Sequence, residues 1–185
     1  FYQATYRAHV LYRDVDGHVR RGCYFVRSDT NSPLMSATAN MLPEFRAHRC
    51  GTVPIVMARD GDTLVLTVDS VGDPSGKVVL LLDERDAPGD KLQPSSRFGS
   101  LADAREVIVD FLDAYAWEPE TSEVYVLSIQ RGEWRMKSPR IIDAYVGYAS
   151  DGPFPKGTAK LDSVFTFKDV PYQWLPLVKE KVLGR

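Results

Sequence analysis

Residues 54–83 read PIVMARDGDTLVLTVDSVGDPSGKVVLLLD, and their punctuation decides the fold. Asp60-Gly61 separates Pro54–Arg59 from Thr63–Val71, and Gly72-Asp73-Pro74-Ser75-Gly76 leads into Lys77–Asp83. Glycine accepts positive φ without steric cost, so these are turns between strands, and the segment predicts an antiparallel meander. Leu64, Leu66 and Val68 alternate with Thr63, Val65, Thr67 and Asp69, the two-residue period of a half-buried strand. Val78–Leu82 is apolar on both faces, as a central strand is.

Working outward, Asp14-Val15-Asp16-Gly17 divides Ala4–Arg13 from Val19–Arg27, both rich in aromatic and β-branched residues, and predicts a hairpin. Met35–Cys50 reads as a short helix and its exit, with Asn31 or Ser32 as cap and Pro33 at the first position, where a missing N–H costs nothing. Glu84–Gly99 shows no periodicity and is a long loop, a flap or an insertion over a pocket mouth. Ser100 then caps a second helix, whose apolar stripe runs Leu101, Ala104, Ile108, Phe111, Leu112 and Tyr115. Further strands are expected at Glu123–Trp134, Arg140–Tyr148 and Ala159–Lys168, with a short broken piece at Tyr172–Val178. Hairpin-linked strands with two helices predict one α+β domain over residues 1–185, mainly an antiparallel β-barrel or half-closed sheet.

Composition narrows the function classes. A chain of 185 residues buries roughly 70% of its unfolded surface, so it needs no disulfide or metal for stability. A net charge of −2 supplies no basic track for nucleic acid. The longest wholly apolar run, Val78–Leu82, is far short of the ~20 residues that span a bilayer. No signal peptide is visible, and two cysteines, Cys23 and Cys50, read as reduced, partly buried thiols of a cytoplasmic protein. Because the chain starts at Phe1 inside a strand pattern, it reads as lacking its natural N-terminal segment.

Two clusters carry candidate chemistry. Arg27 and Asp29 share a strand face, where they form a structural ion pair or bind a carboxylate, which the guanidinium fork matches bidentately. Glu44 and His48 lie four apart beside Arg46; they suit general acid–base work if desolvated, or form a partly exposed ion cluster. No third ligand stands at metal-binding spacing, and no nucleophile elbow, P-loop, dinucleotide fingerprint or Cys-x-x-Cys is present. The late aromatics Trp134, Tyr145, Tyr148, Phe165, Phe167, Tyr172 and Trp174 fill a barrel or line an apolar cavity.

Gly22, Tyr24-Phe25 before an acidic loop with Asp29, Leu42-Pro43 with Phe45, the loop to Ser96-Arg97, and Leu161-Asp162-Ser163-Val164 together carry a resemblance. By these residues the chain resembles the acetoacetate-decarboxylase-like superfamily, and within it an uncharacterised bacterial domain-of-unknown-function branch. The resemblance implies a small-molecule pocket for an anionic or carbonyl compound. It also implies a Schiff-base lysine pair that would fall at Glu44 and Phe45, and no lysine lies between Arg27 and Lys77. On this reading Glu44 and His48 are the candidate catalytic residues and Arg27, Asp29 and Arg46 the candidate substrate-binding ones. No cofactor or metal is expected, and the partner is a small molecule, with neither nucleic acid nor membrane; a homo-oligomer is compatible. The alternatives are a non-catalytic ligand-binding or interaction domain, and a lyase using another lysine among Lys77, Lys156, Lys160 and Lys168.

Overall fold

The computed structural model describes residues 1–41, 50–85, 92–94, 96–168 and 170–181, and it is a mixed α+β architecture dominated by strands. β1 (Gln3–Arg13) and β2 (Val19–Thr30) form the expected hairpin, with Gln3 opposite Thr30 and Arg13 opposite Val19. Its turn is held by Asp14, whose carboxylate accepts the Asp16 and His18 amides at 3.0 and 2.9 Å, while Gly17 takes φ 84°. α1 (Pro33–Met41) follows, capped by Ser32, whose hydroxyl oxygen accepts the Met35 amide at 3.3 Å. β3 (Cys50–Thr52) then lies parallel to the end of β2.

The meander is β4 (Ile55–Asp60), β5 (Thr63–Val68) and β6 (Val78–Asp83), with a short 3₁₀ turn at Pro74–Gly76 between the last two. α2 (Leu101–Ile108) is capped by Ser100, which accepts the Asp103 amide at 3.0 Å. After it come β7 (Asp113–Glu118), β8 (Glu123–Arg131), β9 (Arg135–Lys137), β10 (Arg140–Val146), α3 (Gly147–Ser150), β11 (Thr166–Lys168), β12 (Tyr172–Trp174) and β13 (Val178–Lys181). The first sheet runs β1-β2-β7-β8, with β12 and β13 both on β8 and β3 on β2. The second runs β10-β6-β5-β4, so β6 is internal as its sequence requires, and β9 pairs with β11 in a separate two-stranded sheet among the described strands. Among the described strands neither sheet closes on itself, so the closed barrel is corrected, while the half-closed sheet, the other expected arrangement, is compatible. None of the described helices is long and apolar enough to cross a membrane.

Two expectations are corrected. The helical stripe does not reach Tyr115: α2 stops at Ile108, and Asp113–Glu118 is a strand parallel to β2, with Gly22 opposite Asp113 and Tyr24 opposite Tyr115. Phe111 and Tyr115 stand four apart and so satisfy both readings, but Ala114, Tyr115 and Ala116 are all buried, as in a strand covered on both faces. Ala159–Lys168 is a strand only over its last three residues. Upstream of them Asp162 and Ser163 bind a distant loop: the Ser96 hydroxyl donates to Asp162 at 3.0 Å, the Arg97 amide at 2.8 Å, and Ser163 donates to Ser96 at 2.8 Å. These bonds turn the backbone out of any ladder.

Packing follows from this topology. α2 sits on Met136 with Ala104 and Val109, flanked by Phe98, Trp134, Phe165 and Phe167. On one face of the first sheet Tyr115, Val124 and Val126 pack with Val10 and Tyr12. Tyr115 can lie there only because residue 22 is glycine. A β-carbon at Gly22 would stand 2.5 Å from the Asp113 carbonyl oxygen and collide with the Tyr115 ring. Gly22→Ala is therefore expected to lower stability by about 1–3 kcal/mol through overpacking. Urea unfolding of the two proteins checks this, and an unchanged midpoint would refute the packing argument.

Candidate functional site

The site residues are sorted by one irregularity in the first hairpin. Tyr6 stands opposite Arg27 but Arg7 stands opposite Phe25, so Val26 is an extra residue bulged out of β2. Tyr6 and Arg7 point to opposite faces, so Phe25 and Arg27 do too, despite their two-residue spacing. Arg27 and Asp29 consequently face the second sheet, while Arg7, Phe25 and Ser28 face α1.

On the first face, the expected Arg27–Asp29 pair forms: Arg27 Nε donates to Asp29 Oδ2 at 2.6 Å. The rest of the guanidinium fork reaches the connection between β5 and β6, where Nη1 pairs with Asp73 and Nη2 donates to Ser70 Oγ at 2.8 Å. The Tyr6 ring lies 5.8 Å beneath the guanidinium, and its hydroxyl donates to the Gly76 carbonyl at 2.8 Å. Asp73 also caps the 3₁₀ turn, accepting the Ser75 hydroxyl at 2.6 Å and the Ser75 amide at 3.1 Å. Hydrogen bonds from Ser75 and Arg27 hold the Asp73 carboxyl below its usual range. Burial works against the Arg27 charge, but bonds to Asp29 and Asp73 outweigh it and fix the guanidinium as a cation. Two glycines leave the room: a β-carbon at Gly76 would strike the Arg27 guanidinium, and one at Gly51 would stand 2.5 Å from Asp29 Oδ1. Asp29 is 2% exposed. The three nitrogens of Arg27 thus each already hold a protein acceptor.

On the opposite face a pocket of about 200 Å³ opens between α1 and the sheet. Phe25, Met35, Leu127 and Trp174 supply its apolar wall, Thr5, Ser28 and Thr38 its hydroxyls, and Arg7 its charge. α1 is fixed over it by β3: Ser36 Oγ donates to the Cys50 carbonyl at 2.7 Å. Asn40 accepts the Cys50 amide at 3.0 Å and donates to the same carbonyl at 2.9 Å. The Arg7 guanidinium lies 5.0 Å from the Phe25 ring centroid and, among the described residues, has no carboxylate partner. Cys50 lines the pocket, and burial raises its thiol above the ordinary value against a smaller pull from Ser36, so it is not a ready thiolate. Cys23 is likewise buried and reduced.

Glu44, Arg46 and His48 lie outside the described residues. A larger cleft of about 710 Å³ borders β1 and α2, but its charges are already paired: Arg21 with Glu106 at 3.3 Å, and Asp110 with Arg131 outside the cleft at 3.1 Å. His9 in that cleft packs on Phe111 at 4.8 Å, and burial, aided by Arg7, disfavours its protonation. Asp14, Asp16 and His18 draw together in the hairpin turn, where the Asp14 carboxylate is taken up by the turn's own amides. Nor do the late aromatics line one cavity. Trp134 packs with Phe167 and Tyr172, Phe165 with Phe98, and Tyr148 with Tyr6 and Phe154.

Arg7 is the residue that sequence reasoning passed over. Its signal was positional: Thr5, Arg7 and His9 alternate on one face of β1, but only the bulge brings Phe25 beside Arg7 and sends Arg27 away. Arg27→Met, which keeps the stem and removes the charge, leaves Asp29 buried without its cation. The expected loss is about 3 kcal/mol or more in denaturant unfolding, and a loss under about 1 kcal/mol, the scale of an exposed pair, would contradict the clamp. Compared with known proteins, the chain matches no family model, no curated protein and no solved structure.

Proposed function

We propose that this chain binds a small carboxylate-bearing or carbonyl compound in the pocket under α1, without imine chemistry. The observation that supports it is the Arg7 guanidinium at an apolar pocket, its fork unclaimed by any described carboxylate. A planar guanidinium grips a carboxylate through two parallel hydrogen bonds, and Phe25 and Trp174 offer apolar surface beside it for the rest of the ligand. At about 200 Å³ the pocket is below the usual range for drug-sized ligands, which favours an acid of few heavy atoms. In this reading Arg27 and Asp29, on the opposite face of the sheet, do not touch the ligand, and the resemblance to acetoacetate-decarboxylase-like chains fits a pocket of this kind.

The lyase alternative needs an amine kept neutral by burial or a neighbouring cation. Among the described residues no lysine lines the pocket, and Lys77, Lys156 and Lys160 are exposed. Titration with pyruvate and acetoacetate, followed by calorimetry or amide chemical shifts, is expected to give saturable binding that Arg7→Gln weakens about tenfold or more, with an unchanged melting temperature. Borohydride reduction in the presence of either acid is expected to leave the mass unchanged. Binding indifferent to residue 7 would sink the proposal, and a reduced adduct on a lysine would replace it with the lyase reading.

A further inference from the structure

We propose that two copies of this chain pair antiparallel along β4, joining their second sheets into one continuous sheet across a two-fold axis. β4 is the edge of the β10-β6-β5-β4 sheet and has a ladder partner on one side only among the described strands. The phase of its hydrogen bonding is fixed by the Asp69 amide, which donates to the Pro54 carbonyl at 2.9 Å. Since Pro54 and Asp69 extend the register that sets Ile55 opposite Val68, residues 56, 58 and 60 bond to β5. The N–H and C=O groups of Ile55, Met57 and Arg59 therefore point away from the sheet, toward any incoming strand.

That outward set is self-complementary. An axis through Met57 places Met57 opposite Met57 of the second copy and Ile55 opposite Arg59 of the second copy, closing about six backbone hydrogen bonds. No charge then faces its own kind, because Arg59 lies across from an aliphatic residue and is already paired with Glu84. Met57 stands in register with Leu66 and Leu80, so the pairing extends one apolar row through the axis. Edge strands that avoid partners carry proline or charge along their length. In β4 the charges sit at the far end, Arg59 and Asp60, while Val56 and Met57 are 56% and 46% exposed.

Sedimentation or light scattering at high micromolar concentration tests the pairing. Wild-type protein is expected at twice 20.8 kDa. Met57→Pro deletes an outward N–H without touching a bond to β5, and Met57→Lys sets two ammonium groups across the axis. Each is expected to give monomer, with dimerisation weakened at least about tenfold and far-ultraviolet dichroism unchanged. If the proline variant unfolds, the lysine variant carries the same test. Met57→Cys adds a positive arm: hydrogen-bonded antiparallel pairs lie about 5.5 Å apart at Cα, within disulfide reach, so mild oxidation is expected to cross-link the dimer. A monomeric wild type overturns the proposal, as does a dimer that both the proline and lysine variants leave intact.

Discussion

The Arg27 guanidinium, with the Tyr6 hydroxyl beside it, couples the two large sheets. Arg27 belongs to β2 of the first sheet, and its fork reaches Ser70 and Asp73 in the connection between β5 and β6 of the second. Its remaining bond is to Asp29, a carboxylate buried on its own strand. A buried ion pair of this kind adds little compared with a well-packed apolar contact, yet removing one partner leaves an uncompensated charge. That asymmetry makes the cluster a specifier of geometry. It requires glycine at positions 51 and 76, a capped 3₁₀ turn at Pro74–Gly76, and a tyrosine floor at Tyr6.

The Val26 bulge divides labour between the faces of the first sheet. Without it Phe25 and Arg27 would share a face, and the cation would stand among the residues that line the pocket. With it, the charged cluster is committed to tying sheet to sheet, while the face under α1 keeps an aromatic wall and a different arginine. α1 in turn owes its place to the Ser36 and Asn40 side chains gripping both backbone groups of Cys50. The helix roof and the strand floor of the pocket are therefore set by short-range polar contacts, whereas its content is apolar.

Much of the fold was legible where local chemistry decides it. Glycine turns after Asp16 and Asp60, the Ser100 cap and the alternation through Thr63–Val68 each act within a few residues, and each element stands where they place it. What escaped depends on distant partners. Asp113–Glu118 is a strand because β2 and β8 flank it, and no periodicity distinguishes its Phe111–Tyr115 spacing from a helical one. Residues 161–163 leave the ladder because Ser96 and Arg97, some sixty-five positions away along the chain, claim Asp162. The site was legible in part: the Arg27–Asp29 pair follows from spacing, but Arg7 was hidden, since a bulge is invisible to a strict two-residue count. Glu44, Arg46 and His48 fall outside the described residues.

The most direct measurement of the clamp is native-state amide hydrogen exchange on Arg27→Met beside wild type. Protection is expected to fall selectively in β4, β5 and β6, where the connection loses its tether, while β7 and β8 retain theirs. Equal protection throughout, or a loss confined to the first sheet, would contradict the claim that the Arg27 clamp tethers the second sheet to the first.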